Sequence, residues 1–193
     1  MKKTLLLLFV LCSSTGLVAQ LSKTVDITAG ALSSALTATE KATVTELIVT
    51  GTMNSNDFSQ IRNYMPLLEK LNLTGCTLSG DIVPNSSLSG KSGLKEVYLP
   101  ASVKTIDSYA FYNCYDLTTV SMPDSLQLIN YAAFHQCYEL SGAIVIPPGV
   151  RTIDSYAFYR CYKINSLTLS DSLVSIGSYA FESCPMLSGQ LVI

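Results

Sequence analysis

Cysteine is the residue type whose spacing first suggests chemistry: Cys114, Cys137, Cys161 and Cys184 recur at intervals of 23, 24 and 23 residues. A zinc site draws on thiolates only a few residues apart, so that the ligands converge on one ion, and these intervals lack that clustering. Neighbouring coils of a repeat would bring equivalent Cα atoms near the roughly 4.4–6.8 Å that a disulfide needs. With Cys76, however, the sequence after residue 19 holds five cysteines, so one stays unpaired in any monomer. The spacing fits best a ladder of small buried thiols filling one repeated slot.

His135 is the single histidine, and it falls at a position held in other units by Tyr112, Tyr159 and Glu182. A lone imidazole at a variable position has no acid or nucleophile to complete a triad. Gly90-Lys91-Ser92-Gly93 lacks the preceding glycine of a phosphate-binding loop and reads as an ordinary loop. Asp107 and Asp154 offer carboxylates, but both stand just before a segment ending in Ala-Phe, where helix N-caps are placed. No catalytic residue, metal ligand or cofactor is therefore expected, and the protein is read as a non-enzyme.

The elements that position these residues are visible as a repeat. Units begin at Leu94, Leu117, Leu140 and Ile164, and a fifth begins at Leu187 and stops at Ile193. In each, two apolar residues flank an outward one: Val97 and Leu99, Val120 and Met122, Ile144 and Ile146, Leu167 and Leu169, Leu191 and Ile193. That period of two marks a short strand with one buried face. Leu71 with Leu73, Leu47 with Val49, and Val25 with Ile27 extend the ladder backwards, giving seven or eight strands.

Pro100, Pro123 and Pro147, with Ser170 in the fourth unit, follow the strands and end their hydrogen bonding. Asp107, Asn130, Asp154 and Gly177 then open a segment expected to form a helical or 3-10 turn on a convex side. Phe111, Phe134, Phe158 and Phe181 recur beside Ala110, Ala133, Ala157 and Ala180, a large and small pair for every coil to stack. No single unit can bury its own apolar face, so stability must come from neighbours. The fold class read from this pattern is α/β: a solenoid of short strands and convex helical or 3-10 turns.

Residues 1–19 carry Lys2 and Lys3, an apolar run from Leu5 to Cys12 and small residues up to Ala19, the layout of a secretory signal peptide. Eight apolar residues are too few to cross a bilayer, which takes about 20. Residues 20–70 read as an N-terminal capping region with irregular first repeats, and 71–193 as the regular solenoid, ending in mid-repeat. Without the leader, ten basic residues face fourteen acidic ones, which argues against nucleic acid as a partner and leaves no membrane span in the mature chain.

Four units in register, from 94 to 186, carry L-x-x-V-x-L-P followed by I-x-x-x-A-F-x-x-C, and the sequence resembles the BspA-type leucine-rich-repeat proteins of bacterial cell surfaces. Residues 44–78 are similar to the irregular first repeats of that family. The resemblance implies a right-handed parallel solenoid and adhesion to proteins or glycans of host or neighbouring cells. Departures include Ala132 at the position of Tyr109, Tyr156 and Tyr179, and the absence of Ala-Phe from the unit at 71–93.

Two surfaces are expected to carry binding. The outward strand residues Asn72, Glu96, Tyr98, Thr119, Ser121, Val145, Ser166 and Thr168 line the concave sheet that repeat proteins commonly use. Tyr112 and Tyr159, with Tyr115, Tyr138 and Tyr162, lie on the convex turn, where tyrosine gives rigid contact area at low entropic cost. Tyr109, Tyr156 and Tyr179, at fixed register before Ala-Phe, are expected mainly to pack between coils. The function read from these features is a secreted or cell-surface interaction module. A structural spacer within a larger protein whose C-terminal part binds is the second reading. Asp124-Ser125-Leu126 and Asp171-Ser172-Leu173 also resemble acceptor sites for O-glycosylation in some bacterial secreted proteins, with turn formation as the expected role.

Overall fold

The computed structural model describes residues 20–187. The leader at 1–19 and the strand expected at Leu191 and Ile193 lie outside the described residues. In chain order the N-terminal elements are β1 (Ser22–Ile27), α1 (Leu32–Ala35), α2 (Ala38–Thr43), β2 (Glu46–Met53), α3 (Ser55–Tyr64), β3 (Lys70–Leu78) and β4 (Ile82–Val83). Strands alone follow: β5 (Glu96–Tyr98), β6 (Thr105–Ile106), β7 (Thr119–Ser121), β8 (Leu128–Ile129), β9 (Gly142–Val145), β10 (Thr152–Ile153), β11 (Ile164–Thr168) and β12 (Ser175–Ile176).

All pairing is parallel and between successive coils. The first ladder runs β1-β2-β3-β5-β7 and resumes as the pair β9-β11. It includes the strand at Val25 and Ile27, whose alternate residues are buried. A second ladder, β4-β6-β8-β10-β12, was not foreseen as a sheet. Its strands are two residues long, too short to show a period, and contribute Val83, Ile106, Ile129 and Ile153 to the core.

The three α-helices among the described residues sit between the first strands, where α3 buries Phe58 and Ile61 one turn apart, and a 3-10 turn at Ser79–Asp81 joins β3 to β4. Its start is fixed by a capping box between Asn54 and Asp57. The fully buried Asp57 carboxylate accepts three backbone N–H bonds, from Asn54, Gly30 and Leu32, which ties the approach to α1 onto α3. Thr37 and Glu40 box the start of α2 in the same way.

After the second ladder each coil makes a segment that is neither strand nor helix. Ala110, Tyr112 and Cys114 donate to Asp107, Tyr109 and Phe111, three successive turns of the i to i−3 type. The intervening residues donate instead to the following coil: Tyr109 to Tyr131 at 3.0 Å, Phe111 to Ala133 at 2.8 Å and Asn113 to His135 at 2.9 Å. Every backbone donor from 108 to 114 is thereby used, with Ser108 N–H held by the Asp107 carboxylate.

This alternation refines the expectation of a convex helical or 3-10 turn. The bonds within the segment have 3-10 spacing, but a continuous helix is interrupted because Tyr109 and Asn113 take φ of 58° and 59°. The same two positions in the following coils are Ala132 and Gln136, Tyr156 and Arg160, and Tyr179 and Ser183, all at positive φ. The expected helix caps are correspondingly turn residues. Asp107 and Asp154 accept from the next N–H rather than from one farther along, and Asn130 donates across the coils to Asp107 at 2.8 Å. Gly177 is required by crowding, since a Cβ there would stand 2.3 Å from the Ser155 nitrogen.

Inside, Phe111, Phe134, Phe158 and Phe181 form a column with centroids 5.0–5.1 Å apart and planes within 10°. Leu88 precedes it in the same hydrogen-bonding register, with Ser87 in the alanine position. The unit at 71–93 therefore does form the turn segment its sequence conceals.

Candidate binding faces

The recurring cysteines are buried and free. Each thiol donates to a carbonyl of the preceding coil: Cys114 to Leu88, Cys137 to Phe111, Cys161 to Phe134 and Cys184 to Phe158, at 3.1–3.2 Å. Burial pushes the Cys114 thiol up to about 12 and that of Cys76 up to about 11. A thiol kept protonated is a poor nucleophile, so this ladder is structural packing. Lys91 occupies the same slot one coil earlier and is 6% exposed, its ammonium donating to the Met65 carbonyl. Burial lowers its pKa.

On the first ladder, pairing aligns Asn72 with Tyr98 and Ser121, and Lys70 with Glu96 and Thr119. Several of these side chains are committed within the chain. Asn72 accepts from the Thr74 N–H and hydroxyl, where the ladder shifts register. Lys70 lies 3.6 Å from Glu46 and 3.4 Å from Glu96. The Tyr98 hydroxyl donates to Glu96 at 2.8 Å, and Lys70 stands over the Tyr98 ring. Ser121 accepts from the Leu99 N–H. Farther along, Thr119, Val145, Ser166 and Thr168 are exposed, Val145 to 61%, with Ala143 beside Ser166 and Val145 beside Thr168.

The turn face is denser. Tyr112, His135 and Tyr159 stack at 4.9 Å between successive centroids. Tyr115, Tyr138 and Tyr162 form a second column at 5.1 and 4.9 Å, with planes 15° and 8° apart. Tyr109, Tyr131, Tyr156 and Tyr179 form a third, mostly edge to face. Tyr112 and Tyr159, separated by 47 positions in the chain, thus belong to one surface through His135.

Tyr109 and Tyr179 were expected mainly to shield the core. They pack across coils but are 37% and 54% exposed, whereas Tyr156, at the same register, is half-buried. The half-buried His135 is clasped by tyrosines, and burial with the nearby Arg160 charge lowers its pKa. Arg160, which no sequence pattern marked, lies 5.2 Å from the Tyr159 centroid. Ser125 lies in the turn that the Leu126 N–H closes onto the Pro123 carbonyl, and its hydroxyl faces the Ala101 and Val103 carbonyls of the preceding coil at 2.6 and 2.7 Å, whereas Ser172 is exposed.

Ladders on a repeated coil and exposed variable faces define a leucine-rich-repeat solenoid, a class that works as a rule by binding proteins rather than by catalysis. The BspA type leucine rich repeat region matches six times over residues 59–188, and the chain belongs to that family. Among solved structures it is similar to the T. pallidum leucine rich repeat protein, with 32% identity and a TM-score of 0.55 over 61% of this chain and 53% of that one. A leucine-rich repeat protein from Bacteroides ovatus shares the fold, with 21% identity and a TM-score of 0.50 over 76% of this chain and 48% of the other. The chain thus spans about half the length of either structure. No curated protein matches it. Among the described residues no helix is long and apolar enough to cross a membrane.

Proposed function

We propose that this protein is exported and acts at or beyond the cell surface as an adhesion module, binding proteins or glycans of host or neighbouring cells through its solenoid faces without catalysing a reaction. The observation that carries this reading is the continuous aromatic turn face: ten stacked or edge-packed rings spread over four coils. Large aromatic surfaces left at the exterior of a folded chain mark sites of interaction. Membership in the BspA-type family and the leader-like residues 1–19 support the exported setting.

Tyr112 and Tyr159 are the primary contacts in this reading. Thr119, Val145, Ser166 and Thr168 form a second contact area, with Asn72, Glu96, Tyr98 and Ser121 shaping the sheet beside them. The test is capture of host and microbial surface components by the purified chain, compared with one variant altered at Tyr112 and Tyr159 and another at Tyr98, Ser121 and Thr168. Retention lost in the first variant and kept in the second is expected. Retention of nothing by the unaltered chain would refute the adhesion reading and favour a spacer role.

A further inference from the structure

The turn face differs from an ordinary sugar-stacking platform. In the columns Tyr112-His135-Tyr159 and Tyr115-Tyr138-Tyr162 the ring faces are turned towards one another along the stack. What remains for a ligand is ring edges and phenol hydroxyls. Aromatic edges carry the positive end of the ring quadrupole, and the hydroxyls can donate, so both favour electron-rich oxygen over apolar sugar faces.

Arg160 adds a full charge to this surface. Its guanidinium lies 5.2 Å from the centroid of the Tyr159 ring. It forms no ion pair among the described residues. Glu182, which follows Tyr159 in register, makes no ion pair with it; its backbone carbonyl accepts from the Arg160 N–H at 2.9 Å, and its carboxylate is near enough to act on Tyr156. A guanidinium beside an aromatic ring with no carboxylate partner is prepared for a planar oxyanion.

We infer that the turn face around Arg160 binds a carboxylated sugar of a surface glycan, the carboxylate on the guanidinium and the sugar hydroxyls along the tyrosine rows. This rests on the adhesion reading and specifies its ligand. A sugar fits better than an acidic peptide on two grounds. Arg160 is the single Lys or Arg in the turn segments 107–114, 130–137, 154–161 and 177–184, which suits one charge among many hydroxyls rather than a run of charges. The backbone donors of 154–161, the segment that carries Arg160, are all spent within and between coils, so an extended peptide finds no strand edge to join there.

Titration calorimetry with the purified chain tests this, using a neutral oligosaccharide ending in a single glucuronate and a singly sialylated oligosaccharide, each beside its methyl ester, and polyglutamate as the peptide comparison. The acidic sugars are expected to bind at least about tenfold more tightly than their esters, the scale of a lost charged hydrogen bond. Arg160→Gln removes that discrimination, while Tyr138→Phe, which deletes only a hydroxyl, weakens binding severalfold and keeps it. Unchanged melting of both variants shows that the fold is intact. Equal affinity for acid and ester, preference for polyglutamate, no effect of Arg160→Gln, or no binding of either acidic sugar overturns the inference. If acidic sugars fail while surface components are still captured, the ligand assignment falls and the adhesion reading stands; if both fail, both fall.

Discussion

Lys91 shows how one side chain departs from a repeated slot. Its neighbours in register, Cys114 and Cys137, deliver a small neutral donor to the preceding coil, whereas Lys91 delivers an ammonium to the Met65 carbonyl. A charge buried without a counter-ion is costly, and removal with volume retained is commonly neutral or favourable. Lys91→Met is therefore expected to raise stability by about 1–2 kcal/mol in urea unfolding. Burial depresses the folded pKa, so the unfolded chain binds the proton more tightly. The unaltered protein should consequently gain on the variant as pH rises towards about 10.4, the ordinary lysine value. At His135 burial and Arg160 also depress the pKa, between the rings of Tyr112 and Tyr159 and beside Tyr156. Its contribution is present above about pH 6.5 and is lost as pH falls through the lower folded value. Melting temperature followed from pH 8 to 5 checks this; His135→Tyr, which restores the aromatic type found at 112 and 159, should flatten the slope.

The turn segment is the element that sequence pattern resolved least. Alternation at Val97 and Leu99 exposed the first ladder, and the recurring Phe exposed the core column, because both signals repeat over several coils. The second ladder is read from two residues per coil, and left-handed backbone at Ala132, Gln136 or Arg160 leaves no mark when glycine is not used. Gly90 is the exception, holding in its coil the position of Asn113 and Gln136 with φ of 74°. The shared register of Tyr112, His135 and Tyr159 is legible from the repeat, but the face-to-face stacking of the three rings is not. Because positive φ strains a side chain with a Cβ, Gln136→Gly should be neutral or stabilising by up to about 1 kcal/mol, while β-branched Gln136→Val should cost about 1–2 kcal/mol. Chemical unfolding of the two variants compares them directly. At the N-terminal elements, the Lys23–Glu40 ion pair and the Thr37 cap lower the Glu40 carboxyl to about 2. This contribution is present above the ordinary carboxylate pKa and drains as pH falls towards 2; Glu40→Gln should reduce that acid sensitivity in a pH series of melts.

Across the whole molecule, stability is a sum over neighbouring coils, and the phenylalanine column runs through all the regular ones. Phe134, fully buried between Phe111 and Phe158, is the link whose loss uncouples the most: Phe134→Ala should cost about 3–5 kcal/mol. Phe134→Leu, matching the side chain that Leu88 brings to this register, should cost much less. The same architecture separates duties, with the recurring Phe, Ala and Cys turned inward and the variable residues, together with the recurring Tyr109 and Tyr179, left on two faces. Hydrogen exchange of the chain with and without its captured partner decides between those faces. Protection concentrated over residues 109–115, 131–138 and 156–162 is the result expected if the tyrosine turn face makes the contact; protection confined to β5, β7, β9 and β11, with those turns unchanged, would contradict it.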